Sequence, residues 1–247
     1  MNVALIRPSY YRGLFLEFTG YLRNPHTTPS QKTTKAKITD LAGLFILKIV
    51  FMIGLGLFFA LLSPFYDPEN LTKSTMAERF SLPMLLLVGG LILPLLEEIL
   101  FRLSLRFKPG HLALTLAVLT YYVATKAVYG VSLSLVDESL PTRVGSAVAV
   151  GVLAYPLLRA APVRAVLGKL WTQHFRLIFY VTCVVFAWIH IMNYERTLIN
   201  LLMMPIITLP QLASAFIYSY TRVSFGFPYP LGLHCCNNLI ALILTQL

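Results

Sequence analysis

The chain has 247 residues, of which 57% are hydrophobic and only 12% charged, about half the charged share of an ordinary soluble domain. That balance excludes a water-soluble globule and predicts an integral membrane protein. The net charge of +10 would suit a nucleic-acid ligand, but its distribution along the chain assigns it to the membrane instead.

The segment 1–37 is basic, with Arg7, Arg12, Arg23, Lys32, Lys35 and Lys37. It lacks the long apolar stretch of a cleavable signal peptide. Residues 8–22 mix aromatic and aliphatic side chains with Arg12 and Glu17, a pattern that fits either an interfacial helix or a loose basic tail. From residue 38 onward the chain reads as a single transmembrane domain. Long Leu-rich runs rather than short alternating segments favour helices over a β-barrel. Seven spans are expected, at 41–63, 82–105, 111–136, 144–161, 175–193, 198–220 and 230–247. The fold class is therefore all-α, a polytopic helix bundle. Cys183, Cys235 and Cys236 all lie in apolar runs and read as small buried hydrophobes, with no disulfide framework.

Charge sets the expected orientation. With the N-terminus in the cytoplasm, the inside segments carry 14 Lys/Arg and two acids; the outside loops carry four Lys/Arg and six acids. Basic residues accumulate on the cytoplasmic side. The excess charge then serves topology and anionic headgroups, and no nucleic-acid partner is implied.

Polar residues inside the spans carry the functional signal, because an ionised side chain at membrane depth is costly without partners. Lys48, near the inner end of the first span, is expected to snorkel to the headgroups. Lys126, among Tyr121, Tyr122 and Tyr129, is expected to pair inside the bundle. Three clusters remain. Glu97 and Glu98 are adjacent, and Arg102 lies one helical turn past Glu98, so Glu98 and Arg102 can pair while Glu97 points about 100° away. Phe186 and His190 share a helix face, as do His234 and Asn238. Each cluster alone could be interhelical glue. Together they supply an acid, two imidazoles and a carboxamide from three spans. A carboxylate in a low-dielectric cavity suits general-base work on water, and donors aimed at a carbonyl oxygen suit the charge that develops there. No Gly-x-Ser-x-Gly or His-Glu-x-x-His motif is present.

The order Glu-Glu-x-x-x-Arg, Phe-x-x-x-His, His-x-x-x-Asn resembles the CAAX-protease and bacteriocin-processing (Abi) family of intramembrane endopeptidases, over residues 82–247. The resemblance implies Glu97 as general base, Glu98 and Arg102 as a supporting pair, His190 as positioner of the water, and His234 with Asn238 as stabilisers of the oxyanion. It implies a membrane-associated peptide or protein substrate, cut near the cytoplasmic face. Family members are often described as metalloproteases; a zinc site from Glu97, His190 and His234 is chemically conceivable but not favoured, so no cofactor and no metal is expected. In this chain 93 positions separate Glu97 from His190, where the family has a few dozen; spans 111–136 and 144–161 read as an insertion. Counted from span ends, Glu97 and His190 sit ~10 Å apart in depth, a gap that a helix break at Pro94 would narrow. The rival expectations are a proton- or ion-coupled transporter and a non-enzymatic membrane scaffold. The expected location is a prokaryotic cytoplasmic membrane; no oligomeric state is implied.

Overall fold

The computed structural model describes residues 3–71, 76 and 78–244. After a short 3-10 turn, helix α1 spans Pro8–Arg23 and α2 spans Thr34–Leu62. The chain then forms α3, Leu82–Leu105, and α4, Pro109–Val128. Next come α5, Leu140–Arg159, and α6, Ala161–Gln173. Helix α7 covers Phe175–Asn193, and two short turns, Leu198–Leu202 and Met204–Ile207, lead into α8, Leu209–Ser224, and α9, Pro228–Leu244. The described residues contain no strand, only an isolated bridge between Asn70 and Tyr194.

Among the described residues five helices, α2, α3, α4, α5 and α7, are long and apolar enough to cross a membrane. Their outer faces carry what water would reject: Val50, Ile53, Leu57 and Leu61 on α2, and Val152, Leu153 and Leu157 on α5, are all exposed. The expected sixth span, 198–220, is broken. Pro205 and Pro210 lack an amide N–H, and each opens a new helix instead of continuing the last. Helix α8 has 16 residues, somewhat short of the ~20 that span a bilayer core, and α9 has 17 among the described residues. Helix α8 is the centre of the bundle, packed against α1, α2, α7 and α9. Ten of its residues between Ser214 and Ser224 are buried, including Ser219, Thr221 and Arg222. Protein rather than lipid surrounds it, which explains how it tolerates so many polar side chains.

The basic N-terminal segment is ordered. Thr33 caps α2 by accepting from the Ala36 amide at 3.3 Å, so that helix begins well before residue 41. Helix α1 lies close against α2 at Gly43, where an added Cβ would come within 2.7 Å of Leu14. Lys32 joins Glu17 and Asp40 at 2.5 and 2.7 Å, and Tyr10 donates to Asp40 at 2.8 Å. These contacts tie the segment across the end of the bundle, while Phe15 and Leu16 stay exposed, as on an interfacial helix. Helix α6 occupies what reads in sequence as an inside loop; its Trp171 donates to the Ser104 carbonyl at 2.8 Å.

The inserted pair α4 and α5 packs as a hairpin, with α4 against α3 and α5 against α6. Thr115 of α4 donates to the Ile99 carbonyl at 2.9 Å. Lys126 lies exposed near the far end of α4, so the expected pairing inside the bundle is not found. Arg143, which the charge count places in an outside loop, is fully buried at the start of α5. It donates to Leu135 O at 2.8 Å and meets Asp137 at 2.9 Å.

Candidate active site

Helix α3 is not a uniform α-helix. Val88–Ile92 forms a π turn, with the Leu93 amide bonded to the Val88 carbonyl. The cause is local. Pro94 cannot donate, and with Leu93 taken by Val88 the Gly89 carbonyl loses its helical donor. Asn238 of α9 fills the gap: its Nδ2 donates to Gly89 O at 3.1 Å. At Gly90 the two helices approach so closely that an added Cβ would come within 2.4 Å of Leu239. The Gly89-Gly90-Pro94 pattern thus docks α9 onto α3 just ahead of the two acids.

One turn later the acids diverge. Glu98 is fully buried, and its Oε1 lies 3.3 Å from Arg102 Nη1. The Arg102 guanidinium sits 3.7 Å from the Phe186 ring centre, a cation–π contact that compensates part of its burial. Glu98 Oε1 also accepts from His234 Nδ1 at 2.8 Å. That bond fixes the imidazole and turns Nε2 toward Glu97, whose Oε2 is 3.6 Å away. Tyr218 of α8 stacks on the other side of the His234 ring, with centroids 4.8 Å apart and planes at 26°. Phe186 bridges to the second histidine: its ring lies 4.8 Å from His190 and 6.2 Å from His234. His190 Nδ1 bonds the Phe186 carbonyl at 2.7 Å. A carbonyl only accepts, so Nδ1 carries the proton and Nε2 of the neutral ring is left as an acceptor.

Glu97, His190, His234 and Asn238 line one cavity of about 540 Å³. Glu97 and His190 thus reach one cavity despite the offset counted from span ends. The cavity also touches Asn70 and Asn193, on the face of the bundle opposite the N-terminal segment. Toward the N-terminal face it is closed by the Glu98–Arg102–Phe186–Tyr218 layer. Beneath that layer Arg222 donates to the carbonyls of Arg102 at 3.0 Å and Leu103 at 2.7 Å, and Arg106 bonds Val223 O. These guanidinium groups bond carbonyls at the ends of α3 and α8.

Three features depart from the sequence reading. Lys48 does not snorkel. It is buried, and its Nζ donates to Tyr218 Oη at 2.9 Å and Asn237 Oδ1 at 2.7 Å, in the cavity wall. The signal was its spacing: Asp40, Leu44 and Lys48 recur every four residues and share the face of α2 that turns inward. Arg222 is a buried capping group rather than a loop charge. His234, with its Nδ1 proton engaged by Glu98, donates elsewhere only when Nε2 is protonated as well. Tyr218 and Gln211, on one face of α8, also line the cavity, and sequence reasoning passed over both.

A zinc ion needs donors that converge at about 2.0–2.3 Å. His234 is held between two carboxylates, and among the described residues no three of His, Cys, Asp and Glu are placed to hold a metal ion. The residues do not fit a zinc site. Comparison with family models, with curated proteins and with solved structures gives no match to this chain.

Proposed function

We propose that this chain is an intramembrane endopeptidase of the CAAX-protease and bacteriocin-processing type, hydrolysing a peptide bond of a membrane-associated substrate with water activated by Glu97. The observation that carries this reading is the Glu97–His234 pair. A partly accessible carboxylate faces an oriented imidazole nitrogen at 3.6 Å, in the wall of a cavity within a bundle of apolar helices.

A water seated between Glu97 Oε2 and His234 Nε2 would donate one hydrogen to each, leaving an oxygen lone pair for the substrate carbonyl carbon. As the C–O bond forms, the water's proton passes to Glu97 and on to His234 Nε2, 3.6 Å away. A proton on Nε2 makes His234 a donor just as the carbonyl oxygen becomes negative. The second N–H of Asn238, whose first bonds Gly89, is the other donor in reach of the cavity. The C–N bond then breaks, and the departing amine takes the proton from the same pair. Both hydrogens of that water are taken by Glu97 and His234, so the acceptor Nε2 of His190, in the same cavity wall, is left to accept an N–H of the substrate. Glu98 and Arg102 keep the His234 ring in its tautomer and touch no substrate.

The same reading takes the bundle to cross the membrane seven times, with α8 and α9 as the last two crossings and the N-terminus in the cytoplasm. The cavity then faces the outer side, and cleavage near the cytoplasmic face is no longer the expectation. Purified protein in lipid nanodiscs, given a library of hydrophobic peptides, should cleave a subset, and Glu97→Gln should reduce the rate by 10²-fold or more, in line with general-base contributions. Equal cleavage by the two proteins would refute the assignment.

A further inference from the structure

Lys48 comes from α2, outside the region that carries the three motifs, and the proposed hydrolysis does not use it. The residue is 3% exposed. Two of its three N–H groups meet neutral acceptors, the Tyr218 hydroxyl and the Asn237 carboxamide. Among the described residues no carboxylate pairs with it, whereas Arg102, Arg143 and Lys32 each have at least one. A buried cation without a counter-ion is costly, and neutral partners compensate only part of that cost. Holding Tyr218 and Asn237 in place would not need a charge. On the same cavity wall Gln211 presents a buried carboxamide oxygen that has no hydrogen-bond partner among the described residues.

We infer that Lys48 and Gln211 form a subsite for a peptide that carries a carboxylate, either its own C-terminus or an acidic side chain. The ammonium takes the carboxylate, and the Gln211 oxygen accepts a peptide N–H. Tyr218 links the subsite to the reaction centre: its hydroxyl bonds Lys48 while its ring stacks on His234. The inference rests on the endopeptidase reading for its substrate class, but the geometry of the subsite stands without turnover.

The test is binding to the full chain in nanodiscs with the Glu97→Gln substitution, which prevents consumption of the probe. Three otherwise identical hydrophobic peptides serve as probes: one with a free C-terminal carboxylate, one amidated, and one amidated with a single Glu near its end. One or both acidic peptides should bind about 10- to 100-fold tighter than the neutral one, the range expected for a hydrogen bond to a charged group. Which acidic peptide gains identifies the source of the carboxylate. The preference should vanish in Lys48→Met and return in Lys48→Arg. A structural role for Lys48 would weaken all three peptides alike. Equal binding of the three peptides would overturn the subsite, even if the wild type cleaves them. Charge-dependent binding without any cleavage by the wild type would leave the subsite standing and remove the protease. Should Lys48→Met fail to fold, the comparison of the three peptides on the Lys48-containing protein decides alone.

Discussion

Glu98 holds His234 by its Nδ1 at 2.8 Å while Arg102 holds the same carboxylate oxygen at 3.3 Å. One buried oxygen therefore joins α3 to α9 and sets the direction of the imidazole. Replacing Glu98 by Ala leaves the Arg102 guanidinium buried without its counter-charge. The expected loss is about 3–5 kcal/mol of stability, the range for breaking a buried pair on one side. Thermal unfolding in detergent, monitored by circular dichroism, measures it. A fall in melting temperature no larger than that of an exposed substitution such as Lys35→Ala would show that the pair contributes little.

Asn238 and Gly89 give a second prediction. Asn238→Leu keeps most of the volume but leaves the Gly89 carbonyl without the donor that replaces its helical bond. An unsatisfied buried acceptor costs roughly 1–3 kcal/mol. Asn238→Asp should be worse than Asn238→Leu, because a carboxylate would face a carbonyl. If both variants melt with the wild type, Asn238 plays no part in docking α9.

Gly90 tests the close approach directly. An added Cβ comes within 2.4 Å of the Leu239 side chain, so Gly90→Val must push α9 away from the π turn. Overpacking of this kind costs about 1–3 kcal/mol. Pairing it with Leu239→Ala should recover part of the loss. Full additivity in the double variant would contradict the contact.

Gly226 follows α8 with φ of +120°, and its amide bonds the Thr221 carbonyl at 3.2 Å. This is a backbone region that side chains rarely adopt. Gly226→Ala should lower stability by about 1–2 kcal/mol, since strained backbone conformations cost on that order. An unchanged melting temperature would mean that the turn relaxes freely.

Much of this was legible in the sequence, for a physical reason. Glu97, Glu98 and Arg102 stand out because charge is conspicuous in an apolar helix, and their four-residue spacing fixes which acid pairs. The all-helical, membrane-embedded architecture follows from run length and composition alone. Other features were hidden because they depend on what surrounds a residue. The sequence reads 198–220 as one span, because run length does not show that the segment breaks at Pro205 and Pro210 or that α8 is enclosed by helices rather than lipid. Lys48 looks like a headgroup anchor until α8 and α9 supply Tyr218 and Asn237 beside it. The π turn was foreshadowed by Pro94, but its carbonyl acceptor for Asn238 arises only when α9 docks against it. Rules that count distance from a span end place Glu97 and His190 too far apart, because they assume straight, parallel helices.

The central claim is that the Glu97 carboxylate takes the proton of the attacking water beside His234. Its most direct test is the rate of peptide hydrolysis by Glu97→Gln in nanodiscs, measured beside the wild type on a peptide the wild type cleaves, with equal folding shown by melting temperature. A fall of 10²-fold or more, with peptide binding retained, is the predicted result. An unchanged rate in a folded Glu97→Gln protein would contradict it.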